Sequence, residues 1–143
     1  MKTCVEFRSD RFPAYPDEEQ QINPGIWGKQ LAEFVSAGLK SRGIAAGKPV
    51  AEDWGWLVPI ENESFPLWIG CANYDDGFLC FIEPSKPFIR RYFKKISTES
   101  QVSAVAKALD SLLASEASVG DVRWWTRQEW DHPRTEHDLE ENP

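Results

Sequence analysis

Histidine is missing from the first 131 residues of this 143-residue chain; its two copies, His132 and His137, fall near the C-terminus. Ser-His-Asp and Cys-His catalysis need an imidazole within hydrogen-bond reach of the nucleophile. Such a site would require the C-terminal segment to fold back over the body. The chain also lacks a His-Glu-x-x-His pair, a glycine-rich phosphate loop, a nucleophile elbow and a Cys-x-x-Cys pair. His132 and His137, beside Asp131, Glu136 and Asp138, read as solvated tail residues rather than as metal ligands. No metal and no cofactor are expected.

Cysteine is scarce. Cys4, Cys71 and Cys80 are odd in number and lack metal-type spacing. Each has apolar or β-forming neighbours, so each reads as a small buried hydrophobe in a reducing compartment. Cys71 and Cys80 flank an expected hairpin on one sheet face, which leaves a cross-strand disulfide as the alternative. Long apolar runs are absent too: none approaches the roughly 20 residues of a membrane helix. Glu6 interrupts the N-terminus before a signal-type stretch can begin. The expectation is a cytoplasmic protein without a membrane role. Cations are outnumbered, 16 Lys plus Arg against 23 Asp plus Glu, for a net charge of −7. That balance argues against bulk nucleic-acid binding, which runs on excess positive charge.

The charge is unevenly placed. Residues 1–85 hold 7 basic and 13 acidic residues, and residues 96–126 hold 2 and 4. Residues 127–143 hold 2 basic and 6 acidic residues. Residues 86–95 hold five cations, Lys86, Arg90, Arg91, Lys94 and Lys95, and no anion. Residues 1–126 read as one domain, and 127–143 as an acidic tail with little apolar content and little order.

Hydrophobic periodicity supplies the elements. Residues 3–7 alternate as a short strand, and residues 12–22 form an acidic, proline-containing connection. Asn23 as cap, Pro24 at the first turn and Gly43 as stop predict a helix over 24–42. Residues 50–58, 67–73 and 78–82 read as strands, the last two joined by Asp75-Asp76-Gly77, a strong hairpin signal. In residues 87–95, Ile89, Tyr92, Phe93 and the following Ile96 fit one helical face, with the cations on the other. Thr98 and Gln101 have capping-box spacing before a long apolar stripe from Val102 to Leu113. Residues 122–126 read as a last strand. The order β-α-β-β-β-α-α-β predicts an α+β fold: a mostly antiparallel sheet of about five strands, with two long amphipathic helices on one face.

Seven tryptophans are present, and two helices cannot cover both faces of such a sheet. Either loops bury the indoles, or some form a docking surface, a pocket or a homodimer face. Trp54 and Trp56, two residues apart in one expected strand, would share a face, with Glu52 and Asp53 beside them. The candidate ligand or partner residues are Glu52, Asp53, Trp54, Trp56, Trp68, Tyr74, Asp75 and Asp76. Lys86, Arg90, Arg91, Lys94 and Lys95 have three readings: a solvated helix face, a counter-charge for the tail, or a site for an anionic partner.

By architecture and charge, though not by motif, the chain resembles small acidic immunity proteins that bacteria use against toxins. The resemblance implies a non-enzymatic cytoplasmic protein that presents Glu52, Asp53, Trp54, Trp56, Asp75 and Asp76 to a basic protein partner. The alternatives are a small-molecule binder with an aromatic pocket and an enzyme that uses Glu52 or Asp53.

Overall fold

The structure, a computed structural model, describes residues 1–132. Its strands are β1 (Lys2–Arg8), β2 (Val50–Glu52), β3 (Gly55–Ile60), β4 (Leu67–Tyr74), β5 (Gly77–Glu83), β6 (Phe88–Arg91), β7 (Lys94–Ser97) and β8 (Gly120–Thr126). Its helices are α1 (Glu18–Gln21), α2 (Lys29–Lys40), α3 (Glu99–Ser115) and α4 (Arg127–Asp131). Six strands form one antiparallel sheet in the order β2-β3-β4-β5-β1-β8, and β6 and β7 form a separate hairpin. The fold is α+β, as its alternation of strands and amphipathic helices predicts.

Side-chain alternation divides the sheet. One face carries Val5, Phe7, Trp56, Val58, Ile69, Cys71, Cys80 and Ile82, all buried. Helix α2 buries Leu31, Ala32, Val35 and Leu39 on it, and α3 adds Val102, Val105, Leu109 and Leu113. Each fully buried Leu or Val contributes about 1.5–3 kcal/mol, so the two helices are held mainly by this face. The helices meet where Gly38 leaves room for Leu112; a Cβ there would lie 2.4 Å from its Cδ1.

The other sheet face has only α4 on it among the described residues. Arg127 donates to Glu83 at 2.9 Å, and the Trp130 ring meets the Tyr74 ring at 4.8 Å. The helix thus starts near the end of β5 and finishes near the end of β4, crossing the sheet over Cys4 and Trp125, which are buried. The segment read as tail therefore opens with an ordered turn, fixed by a capping box between Thr126 and Glu129. His137 and the residues around it lie outside the described residues.

Four local expectations are corrected. Helix α2 starts at Lys29 rather than Pro24. Gly25 has a φ of +78°, and Asn23 gives its side-chain amide to the Asp53 carbonyl instead of capping. Residues 50–58 are two strands, because Glu52 pairs with Gly55 across a two-residue turn at Asp53-Trp54. Residues 87–95 are not helical but lie in the β6–β7 hairpin. Ile89 pairs with Ile96 across it, so the spacing that suggests one helical face is met by a cross-strand pair. Tyr92 and Phe93 sit at its apex. Thr98 does not cap α3 with its side chain; that hydroxyl donates to the Lys86 carbonyl and closes the hairpin base.

Candidate functional site

The part of this second face that α4 leaves uncovered is built around three rings. Trp68 on β4 and Phe81 on β5 approach at 5.7 Å, and Trp54 from the β2–β3 turn lies over both. Trp54 stacks on Trp68 at 5.8 Å with an interplanar angle of 22°, and meets Phe81 at 5.0 Å. Two glycines make this possible. Gly70 pairs with Phe81 across the ladder, and a Cβ there would meet the Phe81 ring at 2.3 Å. Gly55 has a φ of +152°, and a Cβ there would stand 2.5 Å from the Cys71 carbonyl oxygen. That close approach aims the turn so that Trp54 folds over the sheet. Arg127 caps the far side, its guanidinium 6.0 Å from the Phe81 centroid.

The tryptophans divide by the fate of their indole N–H. Trp56 donates to Glu18 at 2.9 Å, Trp124 to Asp110 at 2.8 Å, and Trp125 to Glu6 at 2.9 Å. Trp54 and Trp68 have no acceptor among the described residues and are only half-buried, so both donors are open at the surface. Trp56 is buried on the helix side of the sheet. It is therefore withdrawn as a partner-facing residue: the turn between it and Trp54 puts the two indoles on opposite faces.

The remaining candidates group around one end of the sheet. Glu52 ends the edge strand on the face opposite α2 and α3, and Asp53 is exposed in the adjoining turn. Asp75 and Asp76 are exposed in the β4–β5 turn. Tyr74 borders a cavity of about 660 Å³ with Glu6, Asp121, Arg123 and Trp130. Neither Glu52 nor Asp53 lines that cavity or the two smaller ones, beside α2 and below α4. Among the described residues no three His, Cys, Asp or Glu side chains gather into a metal site. Arg90, Arg91, Lys94 and Lys95 lie in the hairpin, and Lys86, just before it, lines the cavity below α4. Local pattern does not mark Phe81 or the apex pair Tyr92 and Phe93 as site residues: Phe81 lies in a strand apolar on both faces, and the spacing around the apex pair also fits a helix.

All three cysteines are buried. Burial pushes the Cys4 thiol from 9.0 up to about 11, and the Cys80 thiol beside Cys71, with burial, pushes Cys71 well above its ordinary value. Cys71 and Cys80 are free thiols with sulfurs 3.8 Å apart. A chromogenic disulfide reagent should therefore find no fast-reacting thiol in the native protein near neutral pH, and three after denaturation. The Cys4 contribution to stability is complete below pH 9 and is lost as pH rises through about 11, because the unfolded thiol ionises first. Urea midpoints should fall over that window, less steeply in Cys4→Ala. A rapid native reaction with any thiol would contradict this packing.

No family model matches the chain, and no curated protein or solved structure matches it.

Proposed function

We propose that this protein is a non-enzymatic cytoplasmic interaction module that binds a basic protein partner on the sheet face opposite α2 and α3. The observation that supports this most is the Trp54–Trp68–Phe81 cluster: three half-buried rings, with two free indole donors, beside the carboxylates of Glu52 and Asp53. Indole faces attract guanidinium and ammonium groups, and a neighbouring carboxylate adds a charge-assisted hydrogen bond. Aromatic anchors of this kind supply most of the affinity at protein interfaces. Asp75 and Asp76 extend the acidic rim along the same end of the sheet and would steer a cationic partner. Buried free thiols suit a reducing compartment. No helix among the described residues is long and apolar enough to cross a membrane.

The test is capture of a partner from native lysate by the full chain and by Trp54→Ala with Trp68→Ala. The parent should retain a basic protein in a salt-sensitive manner. The variant should lose it by at least about 2 kcal/mol, or thirtyfold, as expected of paired hot-spot indoles. Both rings are half-buried, so the variant should remain folded by circular dichroism. Undiminished capture by the folded variant would remove this face from the account.

A second reading, small-molecule binding, draws on the cavity of about 660 Å³ beside Tyr74 and Trp130, a volume that suits a metabolite. Tryptophan emission that stays flat across a metabolite panel would dismiss it.

A further inference from the structure

The β6–β7 hairpin concentrates local costs that bring nothing to the fold's interior. Tyr92 and Phe93 hold its two central turn positions with φ of 52° and 65°. This is the left-handed arrangement of a type I′ turn, which favours Asn-Gly and penalises bulky side chains. Both rings stand in solvent, Tyr92 82% exposed and Phe93 101%. Behind them like charges face each other, Arg90 opposite Lys95 and Arg91 opposite Lys94, a destabilising pairing. No carboxylate pairs with any of these four cations among the described residues. Costs gathered at one exposed point of an otherwise consistent fold mark a functional element.

Strand alternation shapes the charge. Arg90 and Lys95 share one face of the hairpin with Phe88, while Arg91 and Lys94 share the other. The cations therefore collar an apolar apex on both faces of the hairpin, Arg90 and Lys95 beside exposed Phe88, and Arg91 and Lys94 on the face whose Ile89 and Ile96 pack against the core. Thr98, bonded to Lys86 and Pro87, closes the base, and Arg91, next to the apex, donates to the Ser64 carbonyl at 3.0 Å.

We infer that the hairpin docks end-on to an anionic lipid bilayer, with Tyr92 and Phe93 entering the interfacial layer and the collar meeting headgroup phosphates. A convex aromatic apex needs either a matching socket or a soft medium. Cations on both faces behind the apex can meet anions together at a headgroup plane, whereas a nucleic-acid or protein groove would also have to seat the convex apex. Phenylalanine and tyrosine partition to the membrane interface, and basic clusters are drawn to the anionic cytoplasmic leaflet. The whole chain is −7 and residues 86–95 are +5, so the remainder is −12. The same surface repels that remainder, which confines contact to the tip and keeps it reversible. The shortness of the apolar runs bears on spanning a membrane and not on contact with its surface.

The experiment is co-sedimentation of the full chain with phosphatidylcholine vesicles, with and without phosphatidylserine. Pelleting is expected only with phosphatidylserine and should fade as salt shortens the screening length. Tyr92→Asn with Phe93→Gly installs the residues the turn prefers, so the hairpin and the melting temperature are retained while the apex is lost. This variant should partition at least about tenfold more weakly. Arg90→Gln with Lys95→Gln relieves the cross-strand repulsion, leaves the apex in place, and should weaken partitioning by a similar factor of about ten or more. Failure of the parent to pellet overturns the proposal, as does full binding by either variant. Capture of a nucleic-acid oligonucleotide in place of vesicles, lost in the same variants, also overturns it. The Trp54 and Trp68 pair lies outside the hairpin, so its substitution should leave vesicle binding unchanged.

Discussion

Glu18→Ala is expected to destabilise the protein by about 3 kcal/mol, lowering its melting temperature by about 10 °C. Glu18 is fully buried, yet no cation is paired with it. Four N–H groups surround it instead. Oε2 accepts from the backbone of Gly28 at 2.7 Å, from Lys29 at 2.9 Å, and from the Trp56 indole at 2.9 Å; Oε1 accepts from Tyr15 at 3.1 Å. The first two belong to the start of α2, which has no side-chain cap of its own. The carboxylate thus does two jobs: it caps α2 from ten residues upstream and meets the helix dipole with a negative charge. Alanine would leave these donors unmade, and each buried unmade donor costs about 1–3 kcal/mol. Glu18→Gln keeps the shape and one accepting oxygen, but turns an NH2 group toward an N–H and removes the charge. Its expected cost is about 1–2 kcal/mol. Urea unfolding followed by tryptophan emission separates the variants. Equal midpoints for parent and Glu18→Ala would refute the clamp.

Nothing in the local sequence announces this clamp. Even a cap that directly precedes its helix is ambiguous locally: Thr98 has the spacing and does not cap α3, while Thr126 caps α4 in a segment that reads as tail. Glu18 reaches α2 only because the chain doubles back through Asn23–Gly28, and Asn23 and Pro24 mimic a helix start on the way. The same limit explains the other departures. In residues 50–58 a period-two pattern runs through a tight turn, and only Gly55 hints that the strand ends there. In residues 87–96 the spacing of Ile89 and Ile96 serves a helix face and a hairpin pair equally well. Where the pattern is long and uninterrupted it suffices. The Val102–Leu113 stripe lies within α3, and the turn signalled at residues 75–77 does join β4 to β5, with Asp75-Asp76 as its two central residues and Gly77 opening β5. The candidate site was partly legible for the same reason. Trp68 faces away from Leu67 and Ile69 by simple alternation. Its companions depend on a turn and on cross-strand neighbours, which lie outside any local window.

Gly55→Ala couples that site to the fold, and its expected cost is also about 3 kcal/mol. Two effects add. A φ of +152° is a conformation L side chains rarely adopt, costing about 1–3 kcal/mol. The new Cβ would also meet the Cys71 carbonyl oxygen at 2.5 Å and the Ala72 Cβ at 2.9 Å. The carbonyl and the Ala72 Cβ are fixed parts of β4, not the ends of flexible side chains, so the strand itself would have to move. Trp56 pairs with Cys71 one position along, so the displacement reaches both sides of the sheet. It shifts the indole that Glu18 holds, and it swings Trp54 off Trp68. Two readouts should therefore change together in Gly55→Ala: the urea midpoint, and the near-ultraviolet circular dichroism of the stacked indoles. Gly120→Ala is the control, since nothing stands within 4 Å of its added Cβ and its cost should stay within about 0.5 kcal/mol. If the two variants unfold alike, Gly55 is not what brings β3 against β4 and sets Trp54 over the sheet. If Gly55→Ala loses the stacked-indole signal while remaining folded at low temperature, the partner face can be switched off without touching any residue of that face.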